Sequence, residues 1–373
     1  MASHFVFAAD LHLQTGAWKS MPKVIGDSYE SFAQIIKYCV DTRPLALILG
    51  GDVYDSPTPP PDAVRVFLDG VRELHSNHGS ILYVVGQHER HPSLPWVEIY
   101  PCGFHIPGMK DDMRRLLSHG TVLAGFDNMP PEEMKDALSK LDPSVNVLVL
   151  HQACKGAIPG VVDRFDLDPD WVPPTVKLVL LGDIHKPWVH TRELLSDGVR
   201  RATKFIYPGS TCMQSLDEQA SKHFLDIEVL PGPEFVVKEV PLTTRVFVPF
   251  VVSTERSLRS AVDLAKNLPA DSLVCVKYDC RVPGVEAQFL AANTKVHYVF
   301  RILPSELMGL SVDMSQVSVE KMSLSGCLNA LVKPEEDGEL HSFLTKLLDA
   351  KDPNAELVAA KAEFFREPVA EKP

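Results

Sequence analysis

The chain has 373 residues, is 45% hydrophobic and carries a net charge of -12, a length sufficient for one large domain with a smaller companion or for two domains. Such an acidic chain lacks the electrostatic footprint of a free-standing nucleic-acid binder, so positive charge for that purpose has to come from a metal, a local patch or a partner. No apolar stretch approaches a membrane span, the N-terminus lacks the basic and long apolar regions of a leader, and seven scattered cysteines without a CxxC pair read as reduced thiols.

Taken in chain order, short apolar runs alternate with segments of helical period. FVFAAD is followed by SYESFAQIIKYCV, whose Phe32, Ile35, Ile36 and Cys39 share one helix face. LALILGGD precedes DAVRVFLDGVREL, with Val64, Phe67, Leu68 and Val71 on one face, and ILYVVGQHE comes next. A second series contains EEMKDALSKL, VNVLVLHQ and VKLVLLGDIH. This order predicts an α/β domain with a largely parallel, buried core. From about Ala202, KFIYPGS, KHFLDIEVL and EFVVKEVPL read as strands joined by turns, a second sheet completing a sandwich with the first. After Pro241, RVFVPFVVS, SLRSAVDLAKNL, SLVCVKYDC, EAQFLAAN and VHYVFRIL spell strand, helix, strand, helix, strand. The last stretch, Leu340 to Arg366, has amphipathic helical spacing broken at Pro353. It packs on its own domain or docks on another protein.

Five predicted strands end in residues able to hold a metal. They stop at Asp10 and then His12, at Asp52, at Gln87, His88 and Glu89, at His151, and at Asp183 and His185. In an α/β sheet the carboxyl ends of the strands share one edge, where ligands bind. Aspartate, histidine and an amide oxygen suit Mn²⁺, Fe or Zn²⁺. A lone DxH or GD is commonplace as a turn or helix cap, and the other histidines, such as His75 and His78, read as surface or core residues. It is the recurrence at five strand ends that points to a metal centre.

The order DxH, GD, GNH(D/E), H, GHxH is that of the calcineurin-like metallophosphoesterases. This sequence resembles it through Asp10-Leu-His12, Gly51-Asp52, Gly86-Gln87-His88-Glu89, His151 and Gly182-Asp183-Ile-His185. GGDVYDSPTPPPDAV, GDIHKP and YPGSTCMQSLDE are similar to segments of the SbcD type, the nuclease subunit of the SbcCD-like double-strand-break repair complex. Two departures stand out: Gln87 replaces the family's asparagine and Asp183 its first GHxH histidine.

The resemblance implies a metallophosphoesterase β-sandwich flanked by helices over residues 1–240, a small α+β capping domain over 241–322, and a helical tail over 323–373 that binds the ATPase partner. It implies two divalent metal ions, Mn²⁺ first, with Mg²⁺, Fe²⁺ or Zn²⁺ as alternatives. Asp10, His12, His185 and bridging Asp52 would hold one ion, and Asp52, Gln87, His151 and Asp183 the other. With Asp183 in place of histidine, the loaded site carries less positive charge and its second half is reshaped. His88 would contact the phosphate and serve the leaving oxygen, and Glu89 would orient a neighbouring histidine. Asp55, Ser56 and the 59–61 proline run would form a groove wall. The implied activity is a DNA exonuclease and single-strand or hairpin endonuclease, acting as a homodimer with an ABC-type coiled-coil ATPase of the SbcC kind. The implied setting is the cytoplasm of a bacterium or a virus-infected host, away from membranes. Two other readings share the same ligands: a metallophosphatase or phosphodiesterase on non-DNA substrates, and a catalytically silent scaffold that binds DNA ends or the ATPase.

Overall fold

The computed structural model describes residues 3–13, 18, 21–89, 102–108, 120–158, 165–196, 199–216, 218, 221–232 and 234–303. The chain divides into two units after Leu303, and all elements named below belong to the first. The end of the predicted capping domain and the whole predicted tail, 323–373, lie outside the described residues.

In chain order the elements are strand β1 (Ser3–Ala8), helices α1 (Pro22–Ile25) and α2 (Asp27–Thr42), β2 (Leu47–Leu49), α3 (Pro61–Ser76), β3 (Ile81–Tyr83) and β4 (Gly103–His105). They continue with β5 (Leu123–Phe126), α4 (Pro131–Ser139), β6 (Val147–His151), β7 (Leu178–Gly182), β8 (Trp188–Ser196), β9 (Val199–Tyr207), β10 (Lys222–Leu230) and β11 (Glu234–Leu242). The remaining elements are β12 (Phe247–Val252), α5 (Glu255–Ala265), β13 (Leu273–Asp279), α6 (Val285–Ala292) and β14 (His297–Leu303).

The strands form a six-stranded sheet, β11-β10-β1-β2-β3-β4, a five-stranded sheet, β5-β6-β7-β9-β8, and a three-stranded sheet, β12-β13-β14. The first two sheets pack face to face. Phe5, Phe7, Ile48 and Leu82 of one meet Leu123, Val147, Val149, Leu178 and Leu180 of the other. Alternate residues of the same strands, Val6, Ala8, Leu47 and Leu49, point outward against Phe32, Ile35 and Ile36 of α2 and Phe67 and Val71 of α3. On the other side, Leu148, Leu150, Val179 and Leu181 pack against Met134 and Leu138 of α4. Both faces of each central strand are thus covered, which is why these strands read as continuous apolar runs rather than alternating ones. The predicted helix-flanked sandwich is present.

One part of its layout differs from expectation. The second sheet is built from β5, β6, β7, β9 and β8, so of the three late segments only KFIYPGS, through β9, joins it. KHFLDIEVL and EFVVKEVPL instead return to the first sheet, where β10 pairs antiparallel with β1 from Ser3↔Val229 to Phe7↔Leu225. The edge of β1 needs a partner for its backbone groups, and nothing local in either sequence specifies which strand supplies it.

The strand-helix-strand-helix-strand unit after Pro241 is also present. Its strands are parallel, β12 to β13 and β13 to β14, over a core of Val252, Leu258, Val274, Val276 and Phe289. Thr254 caps α5 in a reciprocal capping box with Ser257. The unit is tied to the main sandwich by Arg245, whose Nη2 and Nε donate to Asp27 Oδ1 and Oδ2 at 2.6 and 2.8 Å. Five of the six described cysteines are buried, and all six are unbridged. Among the described residues, no helix is long and apolar enough to cross a membrane.

Candidate metal centre

The carboxyl ends of β1, β2 and β3 in one sheet and of β6 and β7 in the other come together along one edge of the sandwich. Backbone hydrogen bonds stitch the exits together. Asp10 N donates to Gly51 O at 3.1 Å and His12 N to Asp52 O at 3.0 Å. Asn128 Nδ2 donates to His151 O at 3.0 Å. To leave the strands this sharply, four non-glycine residues adopt the left-handed region: Asp10 (φ 53), His12 (φ 44), Asp52 (φ 49) and Asp183 (φ 99). Such conformations cost free energy and concentrate at functional sites. Gly86 and Gly182 are glycines for want of room, since a Cβ at 86 would collide with the Asp52 carboxylate and one at 182 with Gly50 O and the His151 ring.

Three tight groups of ligand-type atoms result: Asp10, His12 and His185; Asp10, Asp52 and His151; and His12, Asp55 and His88. Within each group the ligand atoms lie within 4.8 Å of one another. Asp52 Oδ1 is pinned by the His88 N–H at 3.0 Å. This leaves Oδ2 facing His151 Nε2 at 3.3 Å, His12 Nε2 at 3.8 Å and His88 Nε2 at 3.9 Å. Asp10 Oδ1 accepts from the Asp183 N–H at 3.0 Å and lies 4.0 Å from the Nε2 atoms of both His151 and His185.

Each of three histidine rings is held at Nδ1 by its own acceptor. His12 meets Asp55 Oδ1 at 3.0 Å, His151 meets Gly50 O at 2.6 Å, and His185 meets Glu218 Oε1 at 3.0 Å. With the proton on Nδ1, each ring turns an Nε2 lone pair inward. His12 and His185 bring their Nε2 atoms to 3.1 Å of one another, an arrangement that needs a proton or a cation between them.

The residues fit a pair of divalent cations. Asp52 Oδ2 and His151 Nε2 are buried without a hydrogen-bond partner, and buried polar atoms are seldom left so. The charges make the same demand. Burial pushes the Asp10 carboxyl up. Burial also drives the His151 imidazole down, but the adjoining Asp52 and Asp10 carboxylates outweigh it and hold the ring protonated up to about 10. Buried carboxylates require positive charge beside them, and a metal ion would displace that proton. Aspartate and imidazole donors suit Mn²⁺, Fe²⁺ and Zn²⁺ alike.

Of the remaining predicted residues, Gln87, His88 and Asp183 stand at the rim and Glu89 is buried. His88 projects from the site with 44% of its side chain exposed. Gln87 Nε2 donates to Asp183 Oδ1 at 2.5 Å, so these two departures from the family pattern engage each other. Asp183 lies outside the three tight groups, where Asp10 completes the set with Asp52 and His151. Glu89 does not orient a histidine. Its buried carboxylate accepts from Tyr54 N at 3.2 Å and Gly86 N at 3.4 Å, bracing the turns that carry Asp52 and Gln87. Burial, then the Asp52 charge, raises its carboxyl to about 8.

Sequence reasoning placed Asp55 in a groove wall, whereas it holds His12 and stands 4.0 Å from His88 Nδ1. The available signal was its position three residues after Asp52. Glu218, inside YPGSTCMQSLDE, carries no local signal of its role, because its contact with His185 spans 33 residues of sequence.

No protein-family model matches the chain. It is similar to five archaeal proteins described as DNA double-strand break repair protein Mre11. The Methanocaldococcus jannaschii protein is 26% identical over 225 residues, 56% of this chain and 56% of that protein. The Methanococcus maripaludis protein is 25% identical over 227 residues, 57% and 58% respectively. The chain thus spans little more than half the length of these relatives. A solved dimetal phosphatase from Danio rerio aligns with 65% of this chain and 99% of its own at 11% identity and a TM-score of 0.36, too distant a likeness to carry an argument. The five relatives and the ligand groups gathered at the strand ends bear out the resemblance to metallophosphoesterases of the SbcD and Mre11 type.

Proposed function

We propose that this chain is a dinuclear-metal DNA nuclease that hydrolyses phosphodiester bonds in DNA end processing, recombination and repair. It acts as an exonuclease and as an endonuclease on single strands and hairpins. Its ions are Mn²⁺, and it works as a homodimer with an ABC-type coiled-coil ATPase of the SbcC kind, docked through residues 323–373. The observation that carries this reading is the meeting of Asp10, His12, Asp52, His151 and His185 in two groups sharing Asp10, in a chain whose relatives are described as double-strand-break repair proteins.

Asp10, His12 and His185 would hold one ion and Asp10, Asp52 and His151 the other, with Asp52 Oδ2 within 4 Å of both histidine sets. Bound divalent ions supply an acidified water and offset the charge on the phosphate. The chain's own residues do the positioning. Nδ1 acceptors fix the three inward rings, and the His88 N–H fixes Asp52. His88 itself, exposed at the rim, is the group able to reach a phosphate oxygen and give a proton to the leaving oxygen. No serine or cysteine is needed as a nucleophile. The acidic surface is compatible with DNA as substrate if the ions and the partner contribute the positive charge.

The test compares two substrates with the purified full chain. Mn²⁺-dependent release of nucleotides from linear duplex DNA, abolished by chelation, is the expected result. Hydrolysis of an aryl phosphate with intact DNA would favour a phosphatase. Bound Mn²⁺ without turnover of either substrate would favour a silent scaffold.

A further inference from the structure

The segment YPGSTCMQSLDE, which Lys222 follows four residues later, ends in Glu218, the acceptor at His185 Nδ1. It runs close along the backbone of His185. Ser210 forms a parallel bridge with Ala9, and its N–H donates to His185 O at 3.3 Å. A Cβ at Gly209 (φ +79) would stand 2.7 Å from His185 O, so both the backbone conformation and the close approach require glycine there.

This path brings a buried ion pair up to the His185 ring. Glu218 is 8% exposed and Lys222 4%. Glu218 Oε1 faces His185 Nδ1 at 3.0 Å. Its other oxygen, Oε2, accepts from Lys222 Nζ at 2.7 Å and Gln214 N at 3.2 Å, with Ser210 Oγ 2.9 Å away. Lys222 Nζ also donates to Ser210 Oγ at 2.9 Å. A buried ion pair is weak as a source of stability, and apolar residues of similar volume would hold the segment as well. What apolar residues could not do is fix the proton of His185 on Nδ1 and aim Nε2 at the ligand group. His12 and His151 have different acceptors, Asp55 and Gly50 O, so this pair serves one ring only.

We propose that Glu218, clamped by Lys222 and Ser210, is a positioning residue that sets the orientation and tautomer of His185 for the ion held by Asp10, His12 and His185, and does not serve the ion held by Asp10, Asp52 and His151. The inference rests on the two-metal reading given above.

The test is calorimetric titration of Mn²⁺ into the full chain. Wild type should show two binding events. Glu218→Gln, which keeps the shape and removes the charge, should weaken one of them by about 10- to 100-fold and leave the other unchanged. Leu216→Ala removes apolar packing from the same segment, where Leu216 meets Trp18 and Val24. It should lower the melting temperature and leave both affinities in place. The proposal is overturned if Glu218→Gln leaves both events unchanged, or if it weakens both and Leu216→Ala does the same. Should Glu218→Gln not fold, Ser210→Ala decides. Loss of its hydroxyl should weaken the same single event by about three- to tenfold, and two unaltered events would overturn the idea. A wild-type chain that binds no Mn²⁺ is a distinct failure, that of the two-metal reading itself.

Discussion

The metal centre has a floor and a rim, and the two are built differently. On the floor, Asp10, Asp52 and His151 are fully buried, and main-chain groups hold each of them: the Asp183 N–H, the His88 N–H and Gly50 O. At the rim, Gln87 and His88 are exposed, and Gln87 and Asp183 are held mainly by each other. All the departures from the family pattern fall at the rim. A floor residue cannot change without leaving a buried donor or acceptor unmatched. A rim residue exchanges its partner for water at little cost, so the rim is where such a site can vary.

Three variants probe that contrast. Asp52→Asn takes one ligand carboxylate from the floor while keeping its volume. Mn²⁺ uptake should fall below two ions per chain, measured by elemental analysis, and phosphodiester hydrolysis should fall by about 10³-fold or more. Two tightly held ions in this variant would remove Asp52 from the floor. His88→Ala works at the rim, so Mn²⁺ stoichiometry should stay at the wild-type value while turnover drops about 10²- to 10⁴-fold. Equal turnover in mutant and wild type would break the assignment of His88 to the leaving oxygen. The double substitution Gln87→Asn with Asp183→His restores the family residues. It should alter Mn²⁺ affinity by about tenfold or less, because the floor ligands are untouched. A much larger change would mean that the rim pair holds an ion directly and that the floor is incomplete without it.

The sandwich and its ligand-bearing edge were legible because of one physical circumstance. Strands covered on both faces spell unbroken apolar runs, so the first polar residue, Asp10, Asp52, His151 or Asp183, marks each exit. The strand-helix-strand-helix-strand unit was equally plain, since α5 keeps its period through Leu258, Ala261 and Ala265 and carries its own cap at Thr254. The features that could not be read are all set across long separations. The pairing of β10 with β1 joins residues more than 200 apart. Glu89 was expected to face a histidine, but a carboxylate beside GQH has no way of announcing that it will fold back on Tyr54 N. Asp55 was expected in a groove wall and Glu218 had no expected role, because their contacts with His12 and His185 span 43 and 33 residues of sequence.

Position 88 divides its work between two parts of one amino acid. The imidazole stands half-exposed at the mouth of the cleft with Nε2 3.9 Å from Asp52 Oδ2, while the amide proton of the same residue steadies that carboxylate from the other oxygen. An alanine scan therefore sees half of what this position does, since every residue but one retains that amide proton. Proline alone deletes both. The gap between His88→Ala and His88→Pro in manganese retention measures the contribution of a peptide group that side-chain mutagenesis would otherwise never register.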